Sequence, residues 1–270
     1  MICFPNCKIN LGLHILRKLP DGFHELETAF YPLELRDILE IIPSKTGETT
    51  LSVTGLTLPG DTRDNLCIRA WQLLSSRTGI PPVSIFLHKI IPAGAGLGGG
   101  SSDAAFTLSM LNTMYSLGLS EKELGDLALG LGMDCPFFLL NSPAIATGKG
   151  EILNPVPLNL KGMKIVLVKP DIHISTADAY ANVTPKPGRT PLQEILMNPA
   201  EEWKNILVND FEESIFRRYP EIEKIKQTLY DTGAVYASMS GSGSAVFGIF
   251  RKYPDIQGKF TECYTWVGEI

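Results

Sequence analysis

The sequence predicts a mixed fold of helices and strands, of the α/β (α+β) class, on three observations. Segments in which apolar and polar residues alternate, typical of half-buried strands, recur along the 270-residue chain. Segments with apolar residues at helical spacing follow capping residues and mark several helices. The 25 glycines and 19 prolines exceed average usage, which indicates many turns and loops.

The first predicted element is a strand over residues 8–15, where the alternation is strict and Lys8 and Asn10 share one polar face. Asp21-Gly22 is typical of a turn. Further strands are predicted over residues 33–42, 50–58 and 83–91. The first helix begins after Asp64-Asn65 and has a shared face of Leu66, Ala70, Leu73 and Arg77.

Three more helices are predicted in the middle of the chain. Ser101 or Ser102 is expected to cap the first of them, with Asp103 in its first turn. Its apolar stripe consists of Ala104, Leu108, Leu111 and Tyr115. Residues 120–123 form a capping box for the next helix, and Pro136 begins a short apolar one just after Asp134.

Strands over residues 145–153 and 164–169 flank a proline-containing break at 154–157, which is the candidate domain boundary. This break predicts an N-terminal domain of residues 1–154 and a C-terminal domain of residues 158–270. A loop is expected at 184–191, followed by helices near 205–216 and 220–232, a glycine-serine loop, and a strand over 245–250.

Composition excludes several classes of function. The net charge of −5 without a basic tract argues against nucleic-acid binding. No apolar stretch is long enough to span a membrane, and the N-terminal residues lack the features of a secretion signal. The five cysteines are odd in number and have no paired spacing, which predicts reduced thiols and a cytoplasmic location.

A glycine-rich segment between a predicted strand and a predicted helix is the strongest candidate site. We call residues 92–103 the glycine loop. Its glycines allow close approach of a ligand to the backbone, and the amides at the helix start attract phosphate. A dinucleotide-binding fold would place such a loop after its first strand, and a Walker loop would need a lysine where Gly100 stands. Backbone and hydroxyl groups are therefore expected to bind the phosphates.

Three segments together resemble the signature regions of the GHMP small-molecule kinases, in the same order. These are residues 4–11, the glycine loop and residues 238–244. Within that family, residues 20–25, 132–138, 148–151 and 209–212 are similar to the members that act on a cytidylyl alcohol. Cys7, Met133 and Cys135 depart from the family pattern, which usually has small residues at the first two of these positions.

The resemblance implies a ribosomal-S5-like N-terminal domain and a ferredoxin-like C-terminal domain, with ATP and substrate in the cleft between them. It implies an ATP-dependent phosphotransferase acting on the 2-hydroxyl of 4-diphosphocytidyl-2-C-methyl-D-erythritol, in the non-mevalonate route to isoprenoid precursors. Mg²⁺ is expected to accompany the nucleotide, with unknown protein ligands and no metal-binding residues assigned. The expected partner is this small molecule, without nucleic acid or membrane, and the chain is expected to be a monomer or homodimer.

Position by position, the resemblance implies Lys8 and Asp134 as the catalytic pair. An aspartate can accept the proton of the attacking hydroxyl, and a lysine can orient that hydroxyl or stabilise the aspartate as an anion. The expected ATP-binding residues are Pro92, Ala93, Gly94, Ala95, Gly96, Leu97, Gly98, Gly99, Gly100, Ser101, Ser102, Asn65 and Lys89. The expected substrate-binding residues are Asn10, Phe23, His24, Tyr180, Ser240 and Gly241.

Other interpretations of these residues stay open at this point. Taken alone, Lys8 is an ordinary exposed strand lysine and Asp134 a helix cap. Tyr180 is a second stacking surface or a core residue, and residues 240–243 are a phosphate-facing turn or an ordinary β-turn. The alternative functions are a homoserine or mevalonate kinase, a non-catalytic nucleotide or sugar sensor, and a dehydrogenase.

Overall fold

A computed structural model describes residues 1–58 and 64–270. These residues form two compact units. The first unit contains residues 1–7, 35–93 and 98–142, and the second contains residues 8–34, 94–97 and 143–270. Residues 143–154 thus group with the C-terminal part of the chain, and the domain boundary at 154–157 stays a prediction.

The first half of the chain begins with five strands and continues with four helices and one further strand. In chain order they are β1 (Ile2–Cys3), β2 (Asn6–Lys18), β3 (His24–Arg36), β4 (Ile38–Pro43), β5 (Thr50–Gly55), α1 (Leu66–Thr78), β6 (Val83–Lys89), α2 (Gly99–Met114), α3 (Glu121–Leu131) and α4 (Cys135–Leu140).

The second half contains the remaining elements. They are β7 (Ala144–Thr147), β8 (Ile152–Pro155), β9 (Lys164–Pro170), α5 (Thr176–Ala181), α6 (Leu192–Leu196), a 3₁₀ helix (Ala200–Asn205), α7 (Glu212–Arg218), α8 (Pro220–Asp231), β10 (Tyr236–Met239), β11 (Val246–Phe250) and β12 (Cys263–Glu269).

The first unit packs helices α1–α4 on a sheet of order β1-β4-β6-β5, in which only β5 and β6 run parallel. Its core joins sheet residues such as Leu39 and Ile85 to the helix residues Leu108 and Leu111. Local signals start helices α1 and α3 as predicted. The side chain of Asn65 accepts a hydrogen bond from the Cys67 amide at the start of α1, and the predicted capping box opens α3.

The second unit contains two four-stranded sheets, with orders β2-β3-β7-β8 and β10-β11-β9-β12. Every strand pair of the latter sheet is antiparallel. Its core joins Val166 and Val246 of that sheet to Phe211 and Leu229 from the helical segments. Strand β2, predicted from alternation, is confirmed and is longer than expected.

The start of α2 differs from the prediction. Its N-cap residue is Gly98, in the left-handed region at φ 71°, and no side chain caps this helix. The prediction that Ser101 or Ser102 caps it is wrong, because the glycine turns the chain into the helix earlier. Asp103 therefore lies beyond the first turn, where it is buried rather than exposed near the helix end.

Three other predicted elements are divided in the structure. The strand predicted over 33–42 breaks at the buried Asp37, and the strand predicted over 145–153 becomes the β7–β8 hairpin. The helix predicted over 205–216 is a 3₁₀ helix and α7, because the intervening backbone pairs with β2. There the amide of Leu13 donates to Val208 O and that of Asp210 donates to Leu13 O, both at 2.9 Å.

Candidate active site

Strand β2 places Lys8 in a buried polar network. Only 3% of Lys8 is exposed, so the interpretation as an ordinary exposed strand lysine is wrong. Its ammonium donates to Asn10 Oδ1 at 2.6 Å and to Gly96 O at 3.0 Å, and it lies 4.8 Å from the centre of the Phe30 ring. A buried ammonium with two defined acceptors has a fixed position, which suits a group that must orient a reacting atom.

Asn10 is held by partners on both sides of its amide. Its Nδ2 donates to Thr28 Oγ1 at 2.9 Å, and the Thr28 hydroxyl donates to Gly12 O at 2.6 Å. Because Asn10 Oδ1 accepts from Lys8, the amide orientation is determined at both ends. A chain of hydrogen bonds therefore runs from the backbone of β2 through Thr28 and Asn10 to the Lys8 ammonium.

The glycine-serine turn after β10, which we call the serine loop (residues 240–243), packs closely on the first part of the glycine loop. Ser240 Oγ accepts from the backbone N–H of Asn10 at 3.2 Å and donates to Gly96 O at 2.9 Å. A Cβ atom at Gly96 would lie 1.9 Å from Ser240 O, and Gly96 has φ 78°. Only glycine therefore fits at residue 96. Asn209 fixes the serine loop further by donating to Met239 O and Gly241 O, each at 2.8 Å.

Two residues that the family resemblance implies are thus hydrogen-bonded to Lys8 or Asn10. Gly96, from the predicted ATP-binding residues, accepts from Lys8, and Ser240, from the predicted substrate-binding residues, accepts from Asn10. Other members of the glycine loop have structural contacts as well. The Lys8 amide donates to Leu97 O at 3.0 Å, and the Ala245 amide donates to Ala95 O at 3.2 Å. The interpretation of residues 240–243 as an ordinary β-turn does not account for these contacts with residues far away in sequence.

The second part of the glycine loop forms the start of α2 in the first unit. The N-cap residue of this 16-residue helix, Gly98, has no side chain to accept from the amides of the first turn, and across the described residues the amides of Gly99 to Ser101 have no helical acceptor, so they can bind a ligand. The helix dipole favours an anion at this end. A Cβ at Gly99 would lie 2.8 Å from Ile91 Cγ2, so this position also requires glycine. The geometry suits phosphate oxygens bound by backbone amides.

Lys89, expected near the nucleotide, lies in a buried cluster with two carboxylates. Its ammonium is 2.7 Å from Asp103 Oδ2 and also contacts Asp37 Oδ2. Burial lowers the pKa of Lys89, but the two carboxylates outweigh this and raise it. Burial raises the pKa of Asp103, against the effect of Lys89. Asp37 Oδ1 accepts from the amides of Ile90 and Ile91 at 2.6 and 2.9 Å, so this cluster anchors the chain just before the glycine loop.

Asp134 occupies the N-cap position of α4 but makes no capping hydrogen bond with its side chain. Helix capping therefore does not explain this residue, and its carboxylate is partly exposed. The neighbouring Cys135 is fully buried, and burial raises the pKa of its thiol to about 11, so it remains protonated. Met133, the other departure from the family pattern here, is 38% exposed.

The aromatic residues expected to bind a base lie in the second unit. His24 stacks on Tyr180 with ring centres 5.0 Å apart, and Tyr180 meets Phe211 edge to face at 4.9 Å. Burial lowers the pKa of His24, and the charge of Lys18 acts in the same direction. Phe23 is 52% exposed, with the Lys149 ammonium 4.4 Å from its ring centre. Tyr180 thus sets the plane of the His24 ring in addition to contacting the core.

Sequence analysis did not identify the residues that hold these groups in place. Thr28, Asn209, Asp37 and the buried role of Asp103 emerge only from the structure. One signal was present for Asp37, which stands in phase with the alternating apolar residues of its strand-like segment, Leu33, Leu35, Leu39 and Ile41. Asn65, expected near ATP, uses its side-chain oxygen to cap α1, and its nucleotide contact stays a prediction.

Across residues 1–58 and 64–270, no helix is both long and apolar enough to cross a membrane. Within the same residues, no three His, Cys, Asp or Glu side chains are grouped closely enough to hold a metal ion.

Comparison with known proteins gives consistent results over the whole chain. The family models for the GHMP kinases N terminal domain and the GHMP kinases C terminal match residues 65–142 and 192–262. The chain is 50% identical to a 4-diphosphocytidyl-2-C-methyl-D-erythritol kinase of Parabacteroides distasonis over 100% of both chains. It is 51% identical to the Bacteroides fragilis protein of the same name, over 93% of this chain and 92% of that one. A crystal structure of 4-(cytidine 5'-diphospho)-2C-methyl-D-erythritol kinase superposes with a TM-score of 0.83, at 36% identity over 99% of this chain and 98% of the other.

Proposed function

Because this chain belongs to the GHMP kinase family, we propose that it transfers a phosphoryl group from ATP to the 2-hydroxyl of 4-diphosphocytidyl-2-C-methyl-D-erythritol. The observation that carries this proposal is identity of about half the residues, over the full length, to relatives named for that activity. The reaction belongs to the non-mevalonate route to isoprenoid precursors. We further propose a cytoplasmic monomer or homodimer whose partner is this small molecule rather than a nucleic acid.

Phosphoryl transfer depends mainly on positioning and on stabilisation of charge. In this proposal the uncapped amides at the start of α2 bind phosphate oxygens of ATP, and the glycines allow the backbone to approach them. Ser101 and Ser102 lie within the first turns of the same helix and supply hydroxyl groups. Asn65 and Lys89 are proposed to lie near the nucleotide, Lys89 acting through the buried cluster that anchors the loop.

Lys8 and Asp134 are proposed to act on the acceptor hydroxyl. Asp134 accepts the proton as the oxygen attacks the γ-phosphorus, and the bond from that phosphorus to the β–γ bridging oxygen breaks to release ADP. Lys8 orients the hydroxyl and favours the anionic form of the base. The rigid attachment of Lys8 to Asn10 and Gly96 supports this role, because a catalytic group must be held within a fraction of an ångström.

Cytosine binding is proposed for the aromatic residues Phe23, His24 and Tyr180. An aromatic face provides stacking, and a neutral imidazole provides one donor and one acceptor for the polar edge of a base. The lowered pKa of His24 supports the neutral form. Asn10, Ser240 and Gly241 are proposed to contact the rest of the substrate.

Mg²⁺ is proposed to arrive with the nucleotide, since this ion is usually held by substrate phosphates and waters with few protein ligands. No step in the proposal passes through a metal bound by the protein alone. The chemistry assigned to this chain is binding, orientation and proton transfer.

A coupled ADP-release assay with a panel of alcohols tests the function. We expect turnover with the cytidylyl alcohol and none with homoserine or mevalonate. The uridine analogue should be at least about tenfold poorer in kcat/KM, because its exchanged donor and acceptor leave a buried polar group unpaired. Cytidine monophosphate should compete with the alcohol and not with ATP.

Two variants make this test specific to the base. His24→Ala should lose much of the preference for cytosine while the KM for ATP stays nearly constant. His88→Ala, at an exposed histidine on β6, is the matched control and should retain the preference. Equal efficiency with the cytidine and uridine analogues would overturn the substrate assignment, and absence of ADP release with every alcohol would overturn the kinase assignment.

A further inference from the structure

A buried ion cluster lies directly beneath the first residue of α2. It consists of Lys89, Asp37 and Asp103, each at most 3% exposed. The Lys89 ammonium is 2.7 Å from Asp103 Oδ2 and also contacts Asp37 Oδ2. A Cβ atom built on Gly99, the residue at which α2 begins, would lie 3.4 Å from Lys89 Nζ. The cluster is therefore next to the amides proposed to bind the ATP phosphates.

The charges of this cluster do not balance when both carboxyl groups are ionised. One ammonium then faces two carboxylates, which leaves one net negative charge in the interior. A buried charge is weakly screened and repels an anion that binds close by. The start of α2 attracts phosphate through its amides and its dipole. One proton on the carboxyl groups would remove this conflict.

The two carboxyl groups are placed to share such a proton. The side chains of Asp37 and Asp103 are within hydrogen-bond reach of each other. Asp103 Oδ1 is buried, and the described residues offer it no hydrogen-bond partner. Asp37 Oδ1, in contrast, accepts from the amides of Ile90 and Ile91, which favours the ionised form of Asp37. Two carboxylates in contact repel each other when both are ionised, so the proton belongs on Asp103, with Asp37 as its acceptor.

The protonation of Asp103 changes close to neutral pH. Burial raises the pKa of Asp103 to about 7, the Lys89 charge opposes this effect, and the Asp37 charge adds to it. Two thiols also interact with the cluster, Cys3 from β1 and Cys67 from α1. Burial holds the pKa of both thiols well above the usual value, so they stay protonated and add no charge. The net charge of the cluster near pH 7 therefore follows the proton on Asp103.

We propose that Asp103 is a positioning residue of the nucleotide site, which holds a proton in a hydrogen bond to Asp37 and so keeps the cluster neutral when phosphate binds at the start of α2. This role rests on the proposed binding of ATP there. The proton comes from solvent, and no other bond changes. A bound anion favours the protonated form of Asp103, so binding takes up the fraction of this proton that the free protein lacks. Nucleotide affinity then falls as the pH rises above about 7.

Carbon-13 NMR of the full chain with labelled aspartate detects this proton directly. The carboxyl signal of Asp103, assigned through backbone connectivities, is followed from about pH 5 to about pH 9. Without nucleotide we expect a titration midpoint near 7, instead of the value of about 4 for an ordinary aspartate. Saturation with a non-hydrolysable ATP analogue should raise this midpoint by about 0.5–1 pH unit. A midpoint below about 5, or one that the analogue leaves unchanged, would overturn the proposal.

Calorimetry with the same analogue and Mg²⁺ measures the coupling. Asp103→Asn resembles the protonated aspartate, because its amide oxygen can accept from Lys89 and its N–H can donate to Asp37. The wild-type protein and this variant should bind the analogue within about twofold of each other at about pH 6, whereas at about pH 8.5 the variant should bind about threefold to tenfold more tightly. In buffers of different ionisation enthalpy at about pH 7.5, the wild-type protein should take up about 0.3–0.5 more proton per nucleotide than the variant.

Asp126→Asn is the matched control, because Asp126 is an exposed aspartate of α3 that pairs with Lys122. This variant should keep the proton uptake and the pH dependence of the wild-type protein. Equal proton uptake and parallel affinity curves for the wild-type protein and Asp103→Asn would overturn the role of Asp103 and leave the kinase proposal intact. Failure of the wild-type protein to bind the analogue would overturn the nucleotide site itself, and this role with it. The NMR midpoints need no variant and give the answer even where Asp103→Asn does not fold.

Discussion

Thr28→Val tests the hydrogen-bond chain that leads to Lys8. Thr28 is 1% exposed, accepts from Asn10 Nδ2 and donates to Gly12 O. Valine has nearly the same shape but no oxygen, so the substitution leaves one buried donor and one buried acceptor without their partner. Each unsatisfied group costs about 1–3 kcal/mol. The free energy of unfolding should therefore fall by about 2–5 kcal/mol, allowing for partial relaxation.

The same substitution should reduce turnover more than nucleotide affinity. Without the Thr28 hydroxyl, the side-chain amide of Asn10 loses one of the two hydrogen bonds that fix its orientation. The Lys8 ammonium, which bonds the same amide, is then held less precisely. Displacements of this kind cost on the order of 10-fold to 100-fold in rate. We expect kcat to fall by that factor in the ADP-release assay, with the KM for ATP changing less than about twofold. Thr28→Ser keeps the hydroxyl and should restore most of the turnover.

Thr107→Val is the matched control, since Thr107 is also fully buried, and its hydroxyl bonds the carbonyl of Asp103 within its own helix and the Cys67 thiol, neither of which bonds Lys8 or Asn10. Its loss should cost less than about 1 kcal/mol and leave kcat unaffected. Urea unfolding measures both stabilities. A folded Thr28→Val protein with normal kcat would refute the positioning of Lys8 through Asn10, and equal stability losses in the two variants would refute the energy argument.

Three further perturbations follow from the site. Lys8→Met and Asp134→Asn should each reduce kcat on the order of 100-fold or more, and the effect of the double variant should be less than additive. Near-normal turnover in either single variant, shown to be folded by circular dichroism, would contradict the catalytic role of that residue. Gly99→Val would place Cβ 2.8 Å from Ile91 Cγ2. It should weaken binding of a non-hydrolysable ATP analogue at least about tenfold, as measured by calorimetry, while the cytidylyl alcohol binds normally. Unchanged affinity for the ATP analogue would locate the nucleotide elsewhere. The folded-state pKa of His14 is about 4 against 6.5, so the unfolded chain binds this proton more readily. Its contribution to stability is full above pH 6.5 and is lost as the pH falls toward 4, by about 3 kcal/mol, and His14→Gln should remove this part of the pH dependence measured by urea unfolding.

Local sequence signals were sufficient wherever neighbouring residues determine the structure. The alternation at residues 8–15 predicted β2, and Ser120 with Glu123 predicted the start of α3. The burial of Lys8 could not be predicted in this way. Its environment comes from Gly96, 88 residues away, and the Asn10 beside it is bonded to Ser240, 230 residues away.

The error at the start of α2 has a different origin, because the residues that decide it are neighbours in sequence. The glycine loop contains several residues able to adopt positive φ, and the pattern alone did not reveal which of them begins α2. Ser101 and Ser102 were good caps by residue type, but Gly98 turns the chain first. Asp103 was interpreted from its local position near a helix start, and Lys89 was assigned by resemblance to the family. Asp37, 52 residues before Lys89, completes the cluster that both belong to.

The anchoring cluster also determines where the glycine loop can move. The amides of Ile90 and Ile91 bond the Asp37 carboxylate, which is itself paired with the buried Lys89 ammonium. Opening the hydrogen bond from either amide leaves the buried Asp37 carboxylate with one partner fewer, and an unsatisfied buried group costs about 1–3 kcal/mol, or more when it is charged. In hydrogen–deuterium exchange these two amides should therefore exchange almost as slowly as the core of the first unit. We therefore expect any rearrangement that accompanies ligand entry to lie after Ile91, and the fixed end of that motion is a set of charges rather than a hydrophobic contact.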